Sequence, residues 1–270
     1  KMLVTLLVAT SLLPTAAALK FLAWNPIMAH SHANFQGKVS DALVEAGHEV
    51  VMLSPVVNSG LKNVTSKLAR IIHVPPNEFS RGYSKIQETT ISDLLWTVPQ
   101  GDPAVFIEPM RNMTPYLVEQ CRLTLTMPGL LESLRNEKFD GAFGEVLDIC
   151  GFGIFHLLGI KKFAVTQSMA SIDESVITGV PSFPSFQPAL FSVYGDKMSF
   201  YERFHNMRTI YTWEYSIDIM NNAMQALFDE HYPSFPRIKD VIKNASYFFL
   251  NTEPLIDFPR LISRKMIDIG

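Results

Sequence analysis

Residues Lys20 to Pro55 read KFLAWNPIMAHSHANFQGKVSDALVEAGHEVVMLSP, and the way hydrophobic spacing changes along them decides the fold. Lys20 to Trp24 is an apolar run of strand length, halted by Asn25 and Pro26. From Asn34 the period lengthens: Phe35, Val39, Leu43 and Ala46 fall on one face of a helix, with Ala42 beside them. Gly47 suits the left-handed cap that ends such a helix. Glu49 to Leu53 is a second β-rich run, closed by Ser54 and Pro55. Strand, helix and strand in about 30 residues form a βαβ unit, whose parallel strands require a right-handed crossover.

In a sheet of this kind ligands sit beyond the carboxyl ends of the strands, where the first strand hands over to its helix. The loop there, AHSHANF, carries His30 and His32. A neutral imidazole in that place can take a proton from a hydroxyl near neutral pH, which few other side chains do without a large change of environment. Loop histidines making only local hydrogen bonds fit the same spacing.

The 270 residues are 47% hydrophobic with a net charge of −3, a globular composition with room for one large domain or two small ones. Slight acidity and the lack of a basic block argue against nucleic-acid partners. The amino end resembles a secretory signal: Leu3 to Leu13 is almost wholly apolar, Pro14 breaks it, and Ala16 to Ala18 offer small residues for cleavage. The expected division is a signal over 1–18 and one domain over 19–270, with an uncleaved anchor as the alternative. Three sequons, at Asn63, Asn112 and Asn244, agree with a secretory route. Cys121 and Cys150 either pair in an oxidising lumen or stand as two buried thiols. No zinc-ligand spacing accompanies them.

Further along, Arg70 to Val74 is expected as a strand and Met113 to Arg135 as helix interrupted at Pro128. Phe139 to Val146 is a strand with Glu145 at its carboxyl end, and Asp148 comes next where it can cap the helix Cys150 to Leu158. Lys162 to Thr166 is the next strand. From Ser168 to Ala189 proline and phenylalanine accumulate, giving either the wall or lid of an apolar pocket or a packed surface loop. Met198 to Leu227 is helical, and its stripe of Phe200, Phe204, Met207, Tyr211, Tyr215, Ile219 and Met220 reads as core. Lys243 to Asn251 is a buried strand, and another starts at Met266. Gly151-Phe152-Gly153, with Asp173 about 20 residues on, imitates a dinucleotide fingerprint. It lacks the third glycine, where His156 stands, and comes late in the sheet.

The combination of KFLAWNP, SHANF, EAGHEVVMLSP, FDGAFGEVLDICGFGIF, PSFPSF, NASYFFLNTEPLIDFPR and MIDIG, in this order, resembles the amino-terminal half of the UDP-glycosyltransferases, most of all nematode members of the UDP-glucuronosyltransferase type. The resemblance implies an α/β Rossmann-like parallel sheet with helices on both faces, the acceptor-binding domain of a glycosyltransferase-B fold. The UDP-sugar domain and the membrane anchor of that family are not in this sequence. It implies inverting transfer of glucuronate or glucose from a UDP-sugar to the hydroxyl of a small apolar acceptor, with no cofactor and no metal. The family's base falls on His32, where Ala33 replaces a common aromatic neighbour. Its orienting carboxylate falls on Glu145, with Asp148 as runner-up and His30 unassigned. It further implies the endoplasmic reticulum lumen, membrane association of the full-length protein and self-association into homo-oligomers. The alternative is a non-catalytic relative that binds apolar ligands or a full-length partner.

Overall fold

The computed structural model describes residues 17–61, 64–83, 107–169, 178–190 and 192–270. Nearly all of the expected signal segment, together with Asn63 and Asp173, lies outside the described residues. The architecture is a seven-stranded sheet: β1 (Lys20–Trp24), β2 (Glu49–Pro55), β3 (Arg70–Val74), β4 (Gly141–Gly144), β5 (Phe163–Gln167), β6 (Tyr247–Leu250) and β7 (Met266–Asp268). Every pairing is parallel, in the order β3-β2-β1-β4-β5-β6-β7. The chain therefore winds outward from β1 to β3, returns to β4 on the far side of β1, and winds outward again, an α/β Rossmann-like parallel sheet of the kind the resemblance implies.

Period-two alternation sorts the strand residues between two faces. Leu22, Trp24, Leu53, Ala142 and Val165 point into the main core. That core is closed by α2 (Ile107–Thr126), α3 (Leu130–Asn136), α4 (Cys150–Leu157), α5 (Phe200–His231) and α6 (Ile238–Lys243). Ala23, Val50, Met52 and Phe143 point the other way, against Val39, Leu43 and Val44 of α1 (His30–Glu45). Among the described residues no helix is long and apolar enough to cross a membrane.

Several elements differ from the sequence reading, among them β4, which covers only Gly141–Gly144 of the strand expected over Phe139 to Val146 and leaves Glu145 just past its end, and α2, which begins at Ile107 ahead of Met113. Helix α1 starts at His30, not Asn34, so both histidines occupy its first turn instead of a loop. Its N-cap, Ala29, has no side-chain oxygen, so the usual starting signal is missing from the sequence. The most deeply buried face of α1 consists of small and polar residues, Ala33, Gln36, Gly37, Ser40 and Asp41, because a neighbouring loop lies directly on it. A Cβ on Gly37 would stand 2.7 Å from the backbone nitrogen of Ser66. Asp41 accepts from the Ser66 hydroxyl and from the backbone N–H groups of Lys67 (2.9 Å) and Leu68 (3.0 Å), which fastens that loop.

The aromatic part of the expected stripe on α5 is not core, although Met220 at its far end is. Phe200, Phe204, Tyr211 and Tyr215 are exposed, and the buried face runs through Asn206, Ile210, Trp213, Met220, Met224 and Phe228. Asn206 sets this rotation: its carboxamide accepts from the Ala189 N–H and donates to the carbonyls of Pro184 and Gln187. A polar side chain with all three bonds made inside the protein turns its own face inward, and the Phe/Tyr stripe outward. The expected strand over Lys243 to Asn251 is shorter, since Lys243 ends α6, and its first residue, Tyr247, is half exposed.

Cys121 of α2 and Cys150, the first residue of α4, form a disulfide that closes a separation of 29 residues. Beside it, Asp148 accepts from the Cys150 N–H at 3.0 Å and so serves the start of α4. The glycines that imitate a dinucleotide fingerprint lie inside α4 and serve packing. A Cβ on Gly151 would meet the Trp24 ring at 2.2 Å, and one on Gly153 the Phe228 ring at 2.1 Å. Overpacking of this kind costs about 1–3 kcal/mol.

This corner of the fold can be tested in two ways. Replacing both Cys121 and Cys150 with alanine lowers stability by roughly 3 kcal/mol, mainly through the freed unfolded chain, as read from urea midpoints; an unchanged midpoint contradicts the staple. Asp148 is buried, which pushes its carboxyl from 3.8 up to about 7 against the pull of the Cys150 N–H. The folded state then holds a proton that the unfolded state releases, so stability falls as pH rises from about 4 to about 7, by up to ~4 kcal/mol, and levels off above. Asp148→Asn flattens this slope in a comparison of melting temperatures across that range; parallel curves for the two proteins contradict it.

Candidate active site

The site is built where the direction of winding changes. Because β1 and β4 are neighbours in the sheet but belong to opposite arms of the winding, the chains leaving their carboxyl ends diverge and open a crevice between them. The register matches Trp24 with Gly144, the last residue of each strand. The segments leaving the two strands therefore start from the same level: Asn25 and α1 on one side, Glu145 on the other.

His32, in the first turn of α1, meets Glu145 across this crevice, with Nδ1 2.7 Å from Oε2. Their side chains are 15% and 6% exposed, so the pair is largely shielded from solvent. An ionised carboxylate only accepts, so the proton between them sits on Nδ1, and Nε2 keeps its lone pair. The remaining carboxylate oxygen is occupied too. Glu145 Oε1 accepts from the Ser168 backbone N–H at 2.9 Å and from the Ser168 hydroxyl at 2.6 Å. Ser168 Oγ also lies 2.8 Å from His32 Nδ1.

Helix α1 is pinned in position one turn beyond His32. Gln36 exchanges hydrogen bonds with the Thr166 side chain of β5, at 2.7 and 2.9 Å. Asn25 donates to the carbonyl of Ala33 at 3.2 Å, fastening the strand end to the start of the helix. Neither group is exposed, so the first turn of α1 is set by buried polar contacts. The cleft over the pair is lined by Asn25, Pro26, Met28, Gln36, Leu147 and Asp148 as well as His32 and Glu145.

Of the residues singled out in the sequence, His32 and Glu145 come together. His30 is exposed on the helix. Asp148 lines the same cleft but has its hydrogen bond at the head of α4. Ser168 is the residue at this site that the sequence reading passed over, as the start of a loop. The available signal was positional: it directly succeeds β5, next in the sheet to β4, at the same carboxyl edge. Among the described residues no three His, Cys, Asp or Glu side chains gather as metal ligands.

Comparison with known proteins gives the chain a family. The family model described as UDP-glucoronosyl and UDP-glucosyl transferase matches residues 20–270. The putative UDP-glucuronosyltransferase ugt-56 of Caenorhabditis elegans is 27% identical over 256 residues, covering 94% of this chain and 48% of the relative. The putative UDP-glucuronosyltransferase ugt-48 of the same organism is 29% identical over 265 residues, covering 93% and 48%. UDP-glucuronosyltransferase 3A1 of Bos taurus is 27% identical over 250 residues, covering 89% and 45%. Among solved structures, glycosyltransferase VinC in complex with DTDP aligns with a TM-score of 0.47 at 14% identity, over 93% of this chain and 52% of that one. The chain spans about half the length of the curated relatives it matches. With the family model matching all but its first 19 residues, the chain belongs to the UDP-glucoronosyl and UDP-glucosyl transferase family.

Proposed function

We propose that this chain is the acceptor-binding half of a UDP-glycosyltransferase, acting in the secretory pathway, and that it supplies the general base for transfer of a sugar to the hydroxyl of a small apolar acceptor. The observation that carries this reading is the part-buried His32–Glu145 pair, 2.7 Å apart at the switch point of the sheet. With Nδ1–H turned to the carboxylate, Nε2 is the basic atom. An acceptor hydroxyl placed against it loses its proton to Nε2 as the oxygen attacks the anomeric carbon of the UDP-sugar. The new C–O bond forms on the face opposite the breaking bond to UDP, which inverts the anomeric centre. UDP leaves with the bonding electron pair.

Glu145 stabilises the imidazolium that forms and keeps the ring in the productive tautomer. Met28, Leu147 and Pro26 give the cleft beside the pair an apolar side. Glucuronate and glucose are the two sugars named by the family, and the UDP-sugar is held by a second half of the kind the relatives' greater length leaves room for.

The test joins this chain to such a UDP-sugar half and monitors transfer from UDP-glucuronate and UDP-glucose to a panel of small phenols. His32→Ala lowers kcat on the order of 10³-fold while phenol binding is retained. Glu145→Gln lowers it less, on the order of 10²-fold, because the base remains but is poorly oriented. Undiminished turnover in His32→Ala removes the histidine from its role. Binding of phenols without transfer from either donor marks a relative that has kept the pocket and lost the reaction.

A further inference from the structure

Ser168 makes more contacts with the pair than a loop residue needs. Its backbone N–H and its hydroxyl both reach Glu145 Oε1, at 2.9 and 2.6 Å, and Oγ is 2.8 Å from His32 Nδ1. An ionised carboxylate has no proton to give, so the Ser168 hydroxyl donates to Oε1 and turns a lone pair toward Nδ1–H. The imidazole proton thus faces two acceptors, Glu145 Oε2 and Ser168 Oγ. The carboxylate is held at both oxygens, one by serine and one by histidine.

Ser168 is itself anchored. Its carbonyl accepts from the Asn251 side chain at 2.8 Å, and the Asn251 N–H donates to the Gln167 carbonyl at 3.1 Å. Since Gln167 and Leu250 are paired in the sheet, the anchor extends from the end of β5 to the end of β6. Glu145 directly follows the four-residue strand β4, and a long side chain there has several rotamers open to it. A glutamate reaches one methylene farther than an aspartate, and that extra freedom is what an additional clamp removes.

Resting on the general-base reading above, we propose that Ser168 is a positioning residue of this site: its hydroxyl locks the Glu145 carboxylate and, through it, the tautomer of His32. Its contribution passes through Glu145 and His32.

The experiment compares Ser168→Ala, Ser168→Thr and Ser168→Val. Threonine keeps the hydroxyl, and valine has the same shape without it. The first readout is the ring ¹⁵N chemical shifts of His32 in this 270-residue chain, which report which nitrogen carries the proton and need no turnover. The wild type and Ser168→Thr show the Nδ1–H form, whereas Ser168→Ala and Ser168→Val show a measurable Nε2–H fraction. The second readout, in the chain joined to its UDP-sugar half, is a roughly ten- to hundredfold fall in kcat for alanine and valine with acceptor KM unchanged, and near wild-type kcat for threonine. Wild-type ring shifts in both Ser168→Ala and Ser168→Val overturn the proposal, as does a threonine variant that behaves like valine. Activity surviving in His32→Ala defeats the base reading instead, and leaves the ring-shift result to decide whether Ser168 sets the tautomer.

Discussion

The parallel pairing of β1 with β4 is the constraint on which the rest depends. His32 and Glu145 are 113 residues apart in the chain, and they meet because Trp24 and Gly144 end their strands in register. Glycine at 144 permits that approach: a Cβ there would sit 3.0 Å from Cβ of Trp24. Trp24 in turn is buried under Gly151 of α4, which leaves no room for a side chain at that position. Small residues at the crossing and one large ring beneath it fix the floor of the crevice. The disulfide from α2 to the head of α4 then closes the same corner.

Above that floor the site is assembled from buried polar groups, each already satisfied. Gln36 with Thr166, Asn25 with Ala33, and Ser168 with Glu145 link three strand ends to one helix turn. Such contacts add little net stability each, but leaving any of them unmade in a buried setting is expensive, so they select one arrangement sharply. Asp148, buried beside the Cys150 N–H and the Trp24 side chain, has its proton held up to near neutrality because burial outweighs both of those contacts.

Much of this was legible in the sequence because the informative signals are local. The change from period two to period three or four after Trp24, the stop at Pro26 and the glycine at 47, which adopts φ 89°, are enough to specify the first βαβ unit. The expectation that His32 pairs with Glu145 rests on the family resemblance, with one residue after the first strand and the other at the end of the FDGAFGEV segment. The features that escaped the sequence depend on long-range partners. Nothing near Ala29 announces a helix start, since no capping side chain is used. The rotation of α5 is set by Asn206 bonding to a loop some twenty residues earlier, which spacing within the helix does not encode. Ser168 becomes informative only when β5 is known to lie beside β4. Whether Cys121 and Cys150 pair likewise waits on the packing of α2 against α4.

The most direct measurement of the base assignment is a crystal structure of the chain with a small phenol bound. The phenol oxygen is expected within hydrogen-bond distance of His32 Nε2, about 2.6–3.2 Å, with the ring against Met28 and Leu147. A phenol bound in the cleft with its oxygen turned away from Nε2, or bound elsewhere on the domain, contradicts His32 as the base.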